Sequence, residues 1–567
     1  MRYLAFATDY DGTLAHHGRV DAPTLEALRK LRSSGRKLLL VTGRQIDDLQ
    51  QVFPELALFD CVVAENGALL YWPETRQERL LAASPPADFS AELRERGVEP
   101  LSVGRVIVAT WEPNERVVLD TIRQMGLDLQ VIFNKGAVMV LPAGVNKRSG
   151  LVAALDTFAL SLHNTVAVGD AENDHAFLSA CECSVAVANA LEAVKQTADF
   201  VTKGDHGSGV CELIDLLVES DLQELERGLR RHHVLLGWDD EGRELKLPPY
   251  GTGVLVSGVS GGGKSTAVSG MLERLCQSEY QFCLIDPEGD YDGMPGALRV
   301  GNARQAPDLD EVLQIFVSPR QNAIVNLLGV PLLDRPQFFA ALLARLEELR
   351  GKLGRPHWLI IDEAHHMLHK TARESTLASA HGVSVLMITV HPDEIQSGML
   401  DRVQYVLAVG AEPEPTLRAF AQAAGVQPPV LKQTASDQRL FLWARDGGAV
   451  TPLTTVRGTH ERRRHVRKYA EGELGPDKSF YFRGKDGKLK LRAQNLILFN
   501  QIAEGVDDET WLFHLQNGDV SRWFRDAIKD EELAGEAEAL EKGDLSVAQG
   551  RAAIREAIEK RYTLPAR

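Results

Sequence analysis

Paired cysteines are missing. The six cysteines (Cys61, Cys181, Cys183, Cys211, Cys276 and Cys283) contain no C-x-x-C pair, which excludes a cysteine zinc ribbon and gives no sign of a disulfide framework. Reduced, mostly buried thiols are expected. Long hydrophobic runs are also missing: no uninterrupted apolar stretch reaches the ~18 residues of a membrane span. The start, Met1-Arg-Tyr-Leu-Ala-Phe-Ala-Thr-Asp9, runs into acidic residues before a secretory apolar region forms. The expectation is a cytoplasmic protein with no membrane partner. An excess of positive charge is absent as well, and the net charge of −16 argues against a surface built for unspecific nucleic-acid binding, though a channel can hide a local basic lining. What remains is ordinary globular composition, 44% hydrophobic and 25% charged over 567 residues, enough for several α/β domains.

Residues 3–7 form an apolar run that ends in Thr8-Asp-Tyr-Asp-Gly-Thr13. A buried parallel strand would deliver two carboxylates at its C-terminal end, where open α/β sheets bind ligands. A helix is expected over residues 24–34, with Leu25, Leu28 and Leu31 at helical spacing and Gly35 as its stop. A second strand, residues 37–41, ends in Thr42-Gly43-Arg44.

These motifs resemble the haloacid-dehalogenase (HAD) superfamily, in its class IIB branch of Cof-type and sucrose-phosphate phosphatases. Asp9-x-Asp11-Gly-Thr13 matches the first motif and Thr42 the second; Lys147 in Gly144-Val-Asn-Lys-Arg-Ser-Gly150 matches the third, and Gly169-Asp-Ala-Glu-Asn-Asp174 the acidic fourth. Glu65-Asn-Gly-Ala68 resembles a signature of the branch. The resemblance covers residues 1–215 and implies a Rossmann-like core, with the α/β cap over about 84–142. It implies a phosphomonoesterase in which Asp9 attacks phosphorus and Asp11 first protonates the leaving oxygen and then activates water. Mg²⁺ would be held by Asp9, Asp170 and the Asp11 carbonyl, with Asp174 supporting the metal set. Thr42 and Lys147 would stabilise the transferring phosphoryl group. Arg105, Asn134 and Lys135 stand as cap residues that either touch substrate or are plain surface.

Residues 216–250 read as a linker. Beyond them, Gly258-Val-Ser-Gly-Gly-Gly-Lys-Ser265 fits G-x-x-x-x-G-K-[ST] after the apolar Val254, Leu255 and Val256. This is the pattern of a phosphate-binding loop: Gly258, Gly261 and Gly263 allow the backbone to curl round phosphate, Lys264 reaches the β/γ-phosphates, and Ser265, with Thr266 beside it, serves Mg²⁺ and nucleotide. Trp358-Leu-Ile-Ile-Asp-Glu363 ends a buried strand in two acids, with Asp362 suited to the metal of a bound ATP and Glu363 to polarising water. The order of motifs in the P-loop domain, residues 251–455, with Asp286-Pro-Glu-Gly-Asp-Tyr291 after the intervening strand, resembles the HerA/FtsK class of ATPases, the resemblance covering roughly residues 232–455. That resemblance implies ATP as cofactor, a homo-oligomer that is hexameric, and DNA as a partner. Thr389 and His391 are alternatives for its polar sensor, and Arg402 and Arg418 are positioned late enough for an arginine finger.

Residues 456–478 contain the one dense basic run, Arg457 to Lys468, read as a solvated linker or a phosphate contact. Residues 479–567 read as a helical module in which Phe480 to Phe482 lead into helices, Ser521 caps one of them, and Trp511, Phe513, His514, Trp523 and Phe524 form a small core. The fold expected is thus α/β, a capped HAD core followed by a P-loop domain and a helical C-terminal module. The favoured function is a Mg²⁺-dependent phosphatase for a sugar phosphate or similar small ester, fused to an ATPase. Its alternatives are a nucleic-acid motor whose phosphatase trims termini, and a small-molecule kinase–phosphatase pair. Acidic composition and the cap weigh against nucleic acid.

Overall fold

The computed structural model describes residues 1–258, 263–291, 293–371, 375, 377, 382–410, 412–430, 440–447, 449–455, 469–470, 474, 478–484, 487–528, 530–543 and 546–562. The chain divides into two compact units, Met1–Cys283 with Leu309–Ala323 and Pro336–Gly458, and Leu284–Asp308 with Ile324–Arg335 and Thr459–Arg567.

The first unit opens with β1 (Ala5–Thr8), α1 (Ala22–Ser33), β2 (Lys37–Val41), β3 (Cys61–Ala64), β4 (Leu69–Trp72) and β5 (Gln77–Leu80). Every residue of β1 is buried, as expected of a strand covered on both faces. Helix α1 begins where the Asp21 carboxylate accepts the Thr24 N–H at 2.9 Å, a side-chain N-cap, and it ends before Gly35 in the left-handed region at φ +85°.

Four cap strands follow, β6 (Ser102–Val103), β7 (Val108–Trp111), β8 (Leu129–Asn134) and β9 (Ala137–Pro142), with α2 (Ala87–Glu95) and α3 (Glu115–Met125). The strands form an antiparallel sheet in the order β6-β7-β9-β8, packed through Phe89, Leu93, Val118, Val138 and Val140 into a core of its own. The chain returns through α4 (Lys147–Thr157), β10 (Thr165–Gly169), β11 (Cys183–Ala186), β12 (Phe200–Val201) and α5 (His206–Ser220). The large sheet runs β12-β11-β10-β1-β2-β3-β4-β5. Because β1 is parallel to both β10 and β2, the strand order reverses at β1. The crevice beyond the C-terminal ends of β1 and β10 is the topological switch point where such sheets bind ligands.

The stretch read as a linker is not plain coil. It holds β13 (Val234–Trp238) and β14 (Glu244–Leu247), paired antiparallel, with the turn fastened by Asp239 accepting the backbone N–H groups of Glu241 and Arg243. The alternating burial of Val234 and Leu236 is the period of two that marks a half-buried strand.

The next elements are β15 (Gly253–Gly258), α6 (Lys264–Gln277), β16 (Phe282–Asp286), β17 (Ala297–Val300), β18 (Asn322–Asn326), β19 (Trp358–Ile361), β20 (Ser384–Thr389), β21 (Tyr405–Val409), β22 (Leu440–Ala444), β23 (Val450–Pro452) and β24 (Thr454–Thr455). Within the first unit the order is β19-β20-β15-β21-β22-β23. The first four of these are parallel, and β22 and β23 close the edge antiparallel. Strand β24 joins β13.

In the second unit the Asp286 carboxylate accepts the N–H groups of Gly289, Asp290 and Tyr291. Burial, reinforced by Asp290, pushes that carboxyl up to about 6. Further along, β25 (Phe480–Phe482) and β26 (Leu491–Ala493) pair antiparallel, so the aromatics that lead into the helices are themselves a short strand. Helices α7 (Leu496–Gly505), α8 (Asp508–Gln516), α9 (Asp519–Trp523), α10 (Glu531–Glu541) and α11 (Val547–Tyr562) follow. Phe480, Phe499, Trp511, Trp523 and Phe524 share one core, while His514 is held through both ring nitrogens, by the Arg483 N–H and by Asp519. The residue capping α9 is Gly518. Ser521 sits inside that helix, its hydroxyl on the Gly518 carbonyl. No helix among the described residues is long and apolar enough to cross a membrane.

Candidate active site

Asp9 follows β1 and Asp170 follows β10, so two adjacent parallel strands present their carboxylates side by side. The turn between Asp9 and Thr13 has room for glycine alone at position 12: its φ is +89°, and a Cβ there would stand 2.3 Å from an Asp170 oxygen. Asp174 lies one turn beyond Asp170 and folds back, one oxygen accepting the N–H groups of Asp170 (2.8 Å) and Ala171 (2.9 Å). From the first turn of α4, Lys147 donates to Asp9 at 2.6 Å and to Asp174 at 2.5 Å. The start of α4 is set by Asn146, which makes a reciprocal capping box with Ser149. It packs so closely on the Glu65-Asn-Gly turn that a Cβ on Gly67 would fall 1.9 Å from the Asn146 carbonyl.

Asp9, Lys147, Asp170 and Asp174 are all buried, and their charges are strongly interdependent. Burial, then the neighbouring Asp174 charge, push the Asp9 carboxyl well above its usual range, with Lys147 opposing. Burial raises Asp170 too, against the pull of Lys135. For Lys147, burial alone would lower the ammonium, but Asp174 and Asp9 overcome it and the group is raised. Three acids offering oxygens within 4.8 Å of one another (Asp9, Asp170 and Asp174) are a hard, all-oxygen donor set that fits Mg²⁺. The Asp11 side chain is elsewhere. Arg44, two residues past Thr42, grips it through both oxygens at 2.6 and 2.7 Å, which leaves its backbone carbonyl as the part able to face a metal. Thr42 ends the neighbouring strand β2, buried, its hydroxyl accepting the Arg44 N–H.

Two groups have no motif that announces them, and the motifs do not decide the role of a third. Arg44 was only the last residue of a strand-end triplet. Glu65, fully buried, reaches across to the cap and accepts three consecutive N–H groups, from Arg105, Val106 and Ile107, at 2.7 to 2.9 Å. Lys135, in the tight Lys135-Gly136 turn between β8 and β9, brings a cap ammonium 2.6 Å from Asp170. Arg105 turns instead to Asp47 and Glu78, away from the acids. A lysine followed by glycine between two strands was the signal available for Lys135.

Against this geometry, the profile of the haloacid dehalogenase-like hydrolase family matches residues 6–99 and 122–214. The phosphoglycolate phosphatase of Methanothermobacter thermautotrophicus is 30% identical over 216 residues, covering 37% of this chain and 96% of that protein. The chain belongs to the haloacid dehalogenase-like hydrolases. Phosphoglycolate phosphatase 2 of Saccharolobus solfataricus is 29% identical over 230 residues, 38% of this chain and 94% of that protein. A solved HAD subclass IIB sugar phosphatase superposes at TM-score 0.32 with 22% identity, over 37% of this chain and 97% of its own. The N-terminal part of the chain is accordingly an HAD-type phosphatase with a Rossmann-like α/β core, of a kind that is typically Mg²⁺-dependent.

The second constellation lies in the other sheet of the first unit. Gly258 ends β15, where its lack of a side chain lets the Val409 carbonyl approach to 2.0 Å of the place a Cβ would take. Lys264 opens α6 and donates to the Gly258 carbonyl at 2.9 Å, preceded by Gly263 at φ +104°. Gly261 lies outside the described residues, as does the side chain of Ser265, and Thr266 is exposed. Asp362 follows β19 with Glu363 next to it in the left-handed region at φ +43°. His365 faces the Thr389 hydroxyl at 3.0 Å and Glu363 at 3.4 Å, and burial lowers its imidazole to about 4. The Thr389 hydroxyl also accepts the His391 N–H. Of the two arginines considered as a finger, Arg402 donates to the carbonyls of Leu377 and Val383, and Arg418 pairs with Glu414. The basic run at 457–468 lies outside the described residues.

Proposed function

We propose that the phosphatase domain hydrolyses a small phosphomonoester carrying a second acidic group, phosphoglycolate being the first candidate, through an aspartyl-phosphate on Asp9. The observation that carries this is the buried Asp9–Lys147–Asp174 bridge at the switch point of the sheet. Lys147 holds the Asp9 carboxylate in place and keeps positive charge where a phosphoryl group would enter. Asp9 attacks phosphorus in line, and the leaving oxygen takes a proton from Asp11. That step requires the Asp11 carboxyl to leave Arg44, whose guanidinium holds it ionised through both oxygens in this structure. Asp11 then removes a proton from water as it attacks the acyl phosphate, releasing inorganic phosphate and restoring Asp9. Thr42 offers a hydroxyl to the phosphoryl oxygens. Asp9 and Asp170, with the Asp11 carbonyl, would hold Mg²⁺, which when bound supplies charge neutralisation between the nucleophile and the phosphate. Support for the acidic substrate comes from two sides: the relatives are phosphoglycolate phosphatases, and Lys135 brings a cap ammonium to the mouth of the acidic cluster. The test is phosphate release with Mg²⁺ from phosphoglycolate, sugar phosphates and nucleotides. Asp9→Asn is expected to reduce release by about 10⁴-fold or more, and retained turnover would overturn the reading.

For the region 251–455 we infer a nucleotide-binding ATPase domain. In its support, Lys264 follows the strand β15, Asp362 and Glu363 follow β19, and one strand, β20, separates the two in a parallel sheet. Both sets therefore open on the C-terminal side, the arrangement in which a phosphate loop and a metal-holding acid share one nucleotide. The Thr389–His365–Glu363 contacts favour Thr389 over His391 as the polar group facing the catalytic acid. A hexamer and a nucleic-acid partner remain proposals of this reading. ATP binding by the full chain, measured calorimetrically with Mg²⁺, is expected to be lost in Lys264→Ala while phosphatase turnover persists; unchanged binding would remove the ATPase assignment.

A further inference from the structure

Away from both candidate sites, the first unit buries a cluster that the phosphatase chemistry does not use. His163 lies in the turn before β10, Glu182 immediately before β11, and His232 just before β13. One ligand atom from each lies within 4.8 Å of the others. His163 and Glu182 are buried.

The hydrogen bonds assign the ring nitrogens. His163 Nε2 is 2.6 Å from the Ser278 carbonyl and His232 Nε2 is 2.8 Å from the Cys181 carbonyl. A carbonyl only accepts, so both Nε2 atoms carry hydrogen, and in the neutral ring each lone pair belongs to Nδ1. His163 Nδ1 is turned to a Glu182 oxygen at 2.7 Å. A lone pair facing a carboxylate is repulsive unless a proton or a metal cation lies between them. The other Glu182 oxygen accepts from Arg2 at 2.6 Å, which holds the carboxylate ionised and fixes its plane. Tyr280, stacked on His163 with ring centroids 3.7 Å apart, places its hydroxyl 2.8 Å from the oxygen that faces His163.

We propose that His163, Glu182 and His232 bind one divalent transition-metal cation, zinc being the expected occupant, at the junction of the phosphatase core with the elements that follow it. Two imidazoles and one carboxylate are a recurrent zinc set, and Mg²⁺ disfavours nitrogen donors. The outer contacts are those that orient metal-bound histidines, each second nitrogen donating to a backbone carbonyl. Binding displaces a proton from His163 Nδ1 when that ring is charged, and the charge of Arg2 lies on the far carboxylate oxygen. The histidines are 69 residues apart in sequence (232 − 163), too far for the short spacings that announce a zinc motif.

The test uses the full chain stripped with chelator and titrated with Co²⁺ in excess Mg²⁺. The expected result is one equivalent of cobalt with the intense visible absorption of a four- or five-coordinate site, displaced by one equivalent of Zn²⁺. That band should persist in Asp170→Asn and vanish in His232→Gln, a substitution on a turn that leaves the sheets intact by circular dichroism. His163→Gln should lose it as well. Absence of the band in the native chain, its survival in His232→Gln, or its loss in Asp170→Asn would each overturn the proposal, the last by placing cobalt in the phosphatase carboxylates.

Discussion

A cap lysine 2.6 Å from Asp170 is too close to the acidic cluster to be ordinary surface. Lys135 adopts a left-handed backbone at φ +47° in its turn, a conformation a long side chain seldom takes, and the turn aims the ammonium inward. Under the proposed function it pairs with the second acidic group of the substrate. Hydrogen bonds to charged groups contribute about 1.5–3 kcal/mol, so Lys135→Met should raise KM for phosphoglycolate by about 10- to 100-fold. KM for an uncharged-alcohol phosphate should hardly change. Equal losses on both substrates would make Lys135 a positioning residue for the acids instead. At this scale the sequence was informative wherever chemistry is packed into a few adjacent residues. Asp9, Asp11, Lys147, Asp170 and Asp174 were legible because each sits in a short motif at the end of an apolar run. Arg44 and Glu65 were not, because their partners are 33 and 40 or more residues away.

Elements were legible where both faces are buried. The strands before Asp9, Thr42 and Asp362 are continuous apolar runs, and their boundaries follow from the acids or threonine that end them. Half-buried elements were harder. The hairpin β13–β14 hides in a charged stretch because only alternate residues face inward, and β25 is not announced as a strand because its three consecutive aromatics carry no visible period. Glu65 is one of the points that join the cap to the core. Glu65 accepts N–H groups from three consecutive residues ahead of β7, and Gly104 is held so close that a Cβ would meet a Glu65 oxygen at 2.6 Å. Glu65→Gln replaces one accepting oxygen with a donor facing donors, at a cost of about 1.5–3 kcal/mol. The cap should then loosen: limited proteolysis within residues 84–142 should quicken, and kcat should fall with the acids untouched. If cleavage and turnover both match the native chain, Glu65 does not anchor the cap.

At the scale of the whole molecule, the first unit is tied together by a buried polar seam between its two large sheets rather than by a loose linker. Arg355 donates to the Ala159 carbonyl, Asn164 to the Tyr250 hydroxyl and the Gly354 carbonyl, and the ring of His357 lies edge-on to His163, Tyr250 and Tyr280. His357 is fully buried, and its Nδ1 accepts the Gln281 N–H. Burial, then the neighbouring His163 and Arg355, hold its imidazole well below the usual 6.5, against a smaller opposing pull from Glu182. The sign follows from linkage: the folded state keeps this ring neutral while the unfolded chain binds a proton below 6.5, so stability is full above 6.5 and declines as pH falls below it. From pH 7 to 5.5 one such histidine should cost about 1.3 kcal/mol. His232, also lowered by burial, adds in the same direction. Urea unfolding of the chelator-stripped chain at those two pH values should show the loss, and His357→Asn, which keeps an acceptor for Gln281, should remove its share. An unchanged pH slope in that variant would mean that the seam accommodates a charged His357, and that the two sheets part before the ring is exposed to water.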